Sequence, residues 1–155
     1  MDKIDALNQV AEFHKTFNAP ILNEPQIPSK ERCELRISLL QEELNEFKEA
    51  IEQNDLVEVA DALCDLQYVL SGAVLEFGMG EKFVELFNEV QRSNMSKACT
   101  NEQEANDTIE HYKQKGENAH AEKSGDKINV HRSSDNKVLK NKYYSPADLK
   151  TILNN

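Results

Sequence analysis

The chain has 155 residues, and its 18 Lys and Arg against 28 Asp and Glu give a formal net charge of −10. Such a length favours one domain, and 39% apolar with 30% charged residues is enough to fill a core rather than leave the whole chain disordered. The acidic balance, with no long basic tract, argues against a nucleic acid polymer or an anionic membrane surface as main partner, since both would repel it; metal cations and cation-bearing ligands stay open.

Met1 to Asp5 place acids inside the first turn, with no apolar run of signal-peptide type behind them, so a cytoplasmic protein is expected. Ile4, Leu7, Val10, Ala11, Phe13 and Phe17 then recur at helical spacing and predict an opening helix over residues 2 to 17. Pro20, Pro25 and Pro28 force a loop, and Ser29 caps a long helix over 30 to 53. After Gln53-Asn54-Asp55 a second long helix runs from Leu56 to about Phe77, stopped by Gly78 and Gly80. Its most apolar part, Val69 to Phe77, falls well short of the roughly 20 residues that span a bilayer. A fourth helix is predicted over 80 to 93, and a polar fifth from a Thr100 or Asn101 cap to Lys115, ended by Gly116. Lys127 to Arg132 and Lys137 to Lys140, separated by Ser133-Ser134-Asp135-Asn136, read as a β-hairpin, and Pro146 opens a short last helix through Leu153. The expected fold is all-α, a four- to five-helix bundle with a small C-terminal β-hairpin appendage. The odd count of cysteines, Cys33, Cys64 and Cys99, with no CxxC pair, fits reduced thiols and not structural zinc.

Two acidic stretches carry the chemistry: Gln41 to Glu46 on the second helix and Glu58 to Asp65 on the third. At about 100° per residue, Leu40, Leu44, Phe47 and Ile51 form one apolar stripe, and Val59, Leu63, Leu66 and Leu70 another. Glu42, Glu43 and Glu46 flank the first stripe on the same side as Glu58, Asp61 and Asp65 flank the second. The short break makes the helices antiparallel neighbours, so these carboxylates converge across the seam at matching heights. A cluster of that kind needs cations, and all-oxygen ligation selects Mg²⁺ or Mn²⁺ before zinc. The competing reading is a set of solvated helix faces, as assigned to Glu31, Glu34, Glu49 and Glu52. A carboxylate-bridged diiron bundle would want Glu-x-x-His, and Glu58-x-x-Asp61 supplies aspartate. His14 is assigned a local hydrogen bond, and Cys64, between Asp61 and Asp65, a packing role.

Glu42-Glu43-x-x-Glu46, followed after eleven residues by Glu58-x-x-Asp61, resembles the EExxE and ExxD signature of the all-α nucleoside triphosphate pyrophosphohydrolases, the MazG and phosphoribosyl-ATP pyrophosphohydrolase-like group. His14 to Pro20, Ala60 to Leu66, Arg92 to Lys97 and Tyr143-Tyr144-Ser145-Pro146 are similar to one stand-alone MazG-like subgroup. The resemblance covers roughly residues 10 to 97, giving a helical catalytic core over 1–98 and an extension over 99–155 packed on the same domain. It implies Mg²⁺-dependent (Mn²⁺ as substitute) hydrolysis of a nucleoside triphosphate between the α and β phosphates. Glu43, Glu46, Glu58 and Asp61 would hold metal, with Glu42, Glu43 and Glu46 catalytic. Glu42 would activate or orient water or hold a second metal, and Asp65 would be an additional ligand or act behind the ligands. Arg92 and Lys97 would bind phosphate and Asn94 sugar or base, while Lys140, Tyr143 and Tyr144 would fold over the nucleotide, with packing against the last helix as the other reading of Tyr143 or Tyr144. A homodimer or homotetramer is expected. A noncatalytic helical binding module and phosphoribosyl-ATP hydrolysis are the alternatives.

Overall fold

The computed structural model describes residues 4–154. Six helices and three strands follow in the order α1 (Ala6–Thr16), α2 (Lys30–Gln53), α3 (Leu56–Glu76), α4 (Phe83–Met95), α5 (Glu102–Gln114), β1 (Ala119–Ser124), β2 (Lys127–Arg132), β3 (Val138–Leu139) and α6 (Leu149–Asn154). The predicted start of the first helix at residue 2 lies outside the described residues, and Ile4 and Asp5 precede α1 without being helical. No helix among the described residues is long and apolar enough to cross a membrane.

Contacts divide the chain into two compact units, one ending at Phe83 and the other beginning at Val84. That division groups α4 with the C-terminal elements, whereas motif extent groups it with the helices before it.

In the first unit α3 packs against both α1 and α2. The turn between α2 and α3 is two residues long. Asn54 takes the left-handed conformation (φ 55°, ψ 37°), and the amides of Asn54 and Asp55 return to the carbonyls of Ile51 (3.1 Å) and Ala50 (3.0 Å). Asp55 then caps α3, its Oδ1 accepting from the amides of Val57 (3.0 Å) and Glu58 (3.2 Å). So short a link leaves the helices antiparallel.

The α2–α3 seam is not the one expected from the apolar stripes. Ala50 (4% exposed) and Ala62 (3%) are buried, whereas Leu44 (50%), Ile51 (55%) and Leu63 (49%) stand half open. The rest of the two stripes, Leu40, Phe47, Val59 and Leu66, is partly buried.

The far end of the pair closes on a carboxylate. Glu76, 1% exposed, receives Arg32 Nε on Oε2 (3.0 Å), and Nη2 of both Arg32 and Arg36 on Oε1. His14 on α1 donates from Nδ1 to the Pro20 carbonyl (2.8 Å), so its Nε2 accepts from Arg36 Nη2 (3.4 Å). The proline loop is pinned to the end of α3 by Leu22 N to Leu75 O and Gln26 N to Phe77 O, both 3.1 Å. Gly78 (φ 69°) makes this possible, because a Cβ there would fall 1.9 Å from the Glu24 carbonyl oxygen.

In the second unit Cys99, Ala105, Val130 and Leu139 form the core, flanked by Ile109, Tyr112 and Ile128. The expected hairpin is present as β2 and β3, antiparallel with Val130↔Leu139 and His131↔Val138, and the sheet adds a strand, β1, before it. β1 and β2 are antiparallel from Ala119↔Arg132 to Ser124↔Lys127 across a tight Gly125-Asp126 turn, and β3 is short, Val138 and Leu139. The sequence of β1, Ala-His-Ala-Glu-Lys-Ser, has weak strand preference and is mostly exposed, so periodicity hides it; β2 and the positive φ of Gly125 impose it. The last helix begins at Leu149 rather than Pro146, after Asp148 accepts from the Thr151 amide (3.2 Å).

Burial pushes the Glu76 carboxyl up, but the hydrogen bonds and charges of Arg32 and Arg36 outweigh it and hold the group below the usual carboxylate range. Glu76→Gln, which leaves two guanidinium groups without their anion, is expected to cost about 3–5 kcal/mol in urea unfolding at pH 7. The stability owed to ionised Glu76 is present above the unfolded carboxylate pKa of about 4.3 and is lost as pH falls through the lower folded value, so the gap between wild type and variant narrows in acid. At the turn, Asn54→Gly is expected to be near neutral and Asn54→Val to cost about 1–2 kcal/mol in the same assay.

Candidate active site

Six of the predicted acids sit on the antiparallel pair, Glu42, Glu43 and Glu46 on α2 and Glu58, Asp61 and Asp65 on α3. The two-residue turn sets their heights. Glu46, Glu49, Glu58 and Asp61 line one recess of about 250 Å³, with the buried methyl groups of Ala50 and Ala62 in its wall. Glu49, assigned from sequence to a solvated face, therefore joins the group. It stands one turn beyond Glu46, a spacing that the charge-rich surroundings disguised.

Glu43 lies one level further from the turn and is partly buried. Its carboxyl is pushed above the ordinary value first by loss of water, then by the negative charges of Asp65, Glu46, Glu42 and Asp61 in that order. Two of those charges, Glu42 and Glu46, are on the helix of Glu43 itself, and two, Asp61 and Asp65, reach it from α3. No Lys or Arg among the described residues forms an ion pair with Glu42, Glu43, Glu46, Glu58, Asp61 or Asp65. Uncompensated oxygen donors of this sort suit a hard divalent cation. Among the described residues no three His, Cys, Asp or Glu side chains already close on one metal-sized point, so the flexible carboxylates would have to turn inward to ligate.

Cys64 is exposed, which corrects its packing assignment, and His14 is hydrogen-bonded locally as expected.

The predicted substrate-binding residues belong to the second unit and are engaged with one another and with the tail. Arg92 binds Glu89 in a two-pronged pair (Nε–Oε2 2.7 Å, Nη2–Oε1 2.8 Å), and Nη2 also donates to the Pro146 carbonyl (3.0 Å). Together with the Asp148 amide, that pair draws the Glu89 carboxyl down to about 2. Lys97 Nζ donates to Asn94 Oδ1 (2.8 Å), Lys140 Nζ lies 4.5 Å from the centre of the Tyr144 ring, and the Tyr144 hydroxyl meets Ser93 Oγ at 3.0 Å. Asn141 N to Lys97 O (2.9 Å) fastens this tail segment to the end of α4. Tyr143 instead donates to Asp107 on α5 (2.8 Å). Arg92, Asn94, Lys97, Lys140 and Tyr144 thus form one cluster whose shape depends on the tail.

Because the native fold raises the Glu43 carboxyl, crowding at the acid cluster opposes folding where the group is ionised in both states and relaxes as the group protonates. Glu43→Gln is therefore expected to raise the melting temperature by about 2 °C at pH 7 in chelator, with the gain fading toward pH 4. Differential scanning calorimetry across that range checks both signs.

An uncharacterized protein of Acanthamoeba polyphaga mimivirus is 25% identical over 201 aligned positions, covering 72% of this chain and 78% of that protein. The phosphoribosyl-ATP pyrophosphohydrolase family model matches residues 10–94, more than half of the chain and including every acid of the α2–α3 cluster. On that match, this chain belongs to the phosphoribosyl-ATP pyrophosphohydrolase family.

Proposed function

We propose that the protein is a Mg²⁺-dependent nucleoside triphosphate pyrophosphohydrolase, cleaving ribo- or deoxynucleotides between the α and β phosphates to monophosphate and pyrophosphate. The observation that carries this reading is the uncompensated carboxylate cluster of α2 and α3, in which Glu43 is crowded by Asp65, Glu46, Glu42 and Asp61. Glu43, Glu46, Glu58 and Asp61 would hold the cation, with Asp65 beside them. Bound Mg²⁺, or Mn²⁺ in its place, would neutralise phosphate oxygens that a protein of net charge −10 otherwise repels.

Each side chain has a task that follows from its chemistry. Glu42, exposed next to Glu43, would activate or orient the attacking water or hold a second cation. Glu46 and Glu49 keep the recess negative, so substrate enters only with its cation. Arg92 and Lys97 would supply positive charge for the polyphosphate, Asn94 a carboxamide for sugar or base, and Lys140 and Tyr144 a cover over the nucleotide. Arg92 already spends two donor groups on Glu89 and Pro146, so it would contribute its charge and remaining donors.

A second copy of the chain fits the half-exposed stripe of Leu44, Ile51, Leu63 and Leu70, as a homodimer or homotetramer. The cytoplasm is the compartment that suits the free thiols of Cys33, Cys64 and Cys99. Phosphoribosyl-ATP is the second substrate reading, favoured by the family match itself.

The test is product analysis with each common ribo- and deoxynucleoside triphosphate and with phosphoribosyl-ATP, with and without Mg²⁺. Monophosphate and pyrophosphate formed only with Mg²⁺ are expected, and Glu46→Gln should cut kcat by about a hundredfold or more while the circular dichroism spectrum is unchanged. Diphosphate and phosphate as products, or no turnover by folded, metal-loaded protein, would overturn the reading.

A further inference from the structure

Carboxylates that repel one another cannot hold their own helices in register, so the register at the acid cluster has to be enforced elsewhere on α2 and α3. Arg36 precedes Glu43 by seven residues and Gly72 follows Asp65 by seven, so each pair shares a helix face two turns apart. Counted from the turn residue Asn54, Glu43 and Asp65 each lie eleven residues away, and Arg36 and Gly72 each eighteen. Both levels therefore belong to one antiparallel alignment. The structure meets it at each: Asp65 acts most strongly of the charges on Glu43, and the Arg36 guanidinium lies against Gly72.

The seat on Gly72 is close. A Cβ at that position would come within 2.7 Å of Arg36 Nη1 and 3.0 Å of His14 Nε2. Arg36 is 8% exposed, so its guanidinium has little room to retreat. Glu76 receives Arg36 Nη2 from further along α3, and His14 receives it from α1. Yet Arg36 Nε is buried with no partner. A group placed for hydrogen bonding alone would not leave a donor orphaned; what the surroundings fix is where the guanidinium sits along the seam.

We propose that Arg36, seated on Gly72 and held by Glu76 and His14, is a positioning residue for the carboxylate site. It fixes the α2–α3 register that sets Glu43 and Glu46 opposite Asp65 and Asp61 before any cation arrives. A slip of one turn would move the two acidic sets about 5.4 Å past each other. The proposal rests on the cation-binding reading of those acids.

The test is calorimetric titration of metal-free protein with Mn²⁺ alone, without nucleotide, at a temperature where circular dichroism shows each variant folded. Gly72→Ala keeps every charge and lifts the guanidinium off its seat; Glu76→Gln removes the anion. Val10→Ala, which opens a cavity on the buried face of α1, serves as a control for general loss of stability. Gly72→Ala is expected to weaken Mn²⁺ binding about tenfold or more, Glu76→Gln likewise where it folds, and Val10→Ala to bind as wild type. Wild-type affinity in Gly72→Ala, or an equal loss in Val10→Ala, overturns the positioning role and leaves the cation reading intact. Wild-type protein that takes up no Mn²⁺ overturns the cation reading, and the positioning role with it.

Discussion

The constraint on which the N-terminal unit depends is the alignment of two antiparallel helices that carry like charges on facing flanks. Like charges at the acid cluster favour separation, and they add to the loss of water in raising the Glu43 carboxyl. Attraction therefore has to come from either end. At one end Asn54 and Asp55 close the turn and cap α3; at the other Arg32 and Arg36 converge on Glu76. Between them Ala50 and Ala62 let the backbones come close without a bulky side chain in the way. A recess lined by carboxylates is what remains in the middle.

This division of labour separates stability from chemistry along one helix pair. The paired ions are buried at the far end, where removal of one partner is destabilising. The unpaired ions lie nearer the turn, where water and small solutes reach Glu46, Glu58 and Asp61. Charges satisfied within the protein have nothing left for a ligand, and charges left unsatisfied retain their affinity for one. In the C-terminal unit the same logic holds in a milder form: Arg92 is paired with Glu89 and with the tail carbonyls, whereas Lys97 and Lys140 meet only a neutral carboxamide and an aromatic ring.

Exposed apolar area tells a related story. Leu44, Ile51, Leu63 and Leu70 are half open, while Ala50 and Ala62 on the same helices are buried. Sequence periodicity marks such a stripe as apolar without saying what covers it.

The acids of the cluster were legible because their spacing is local: Glu43 and Glu46 share one flank by helical geometry, Glu58 and Asp61 another, and a two-residue break leaves one antiparallel solution. The helices were legible for the same reason, through caps, prolines and 3.6-residue periodicity. Glu76 was not, because its partners lie 40 and 44 residues away and nothing in Val-Leu-Glu-Phe signals an anion that is 1% exposed. Nor was β1, whose strand form is dictated by pairing with β2 rather than by its own side chains. Sequence by itself determined the inventory of charges and the short-range geometry that groups them. Only the tertiary structure decided which of those charges are neutralised, since burial and partnership depend on contacts between segments distant along the chain.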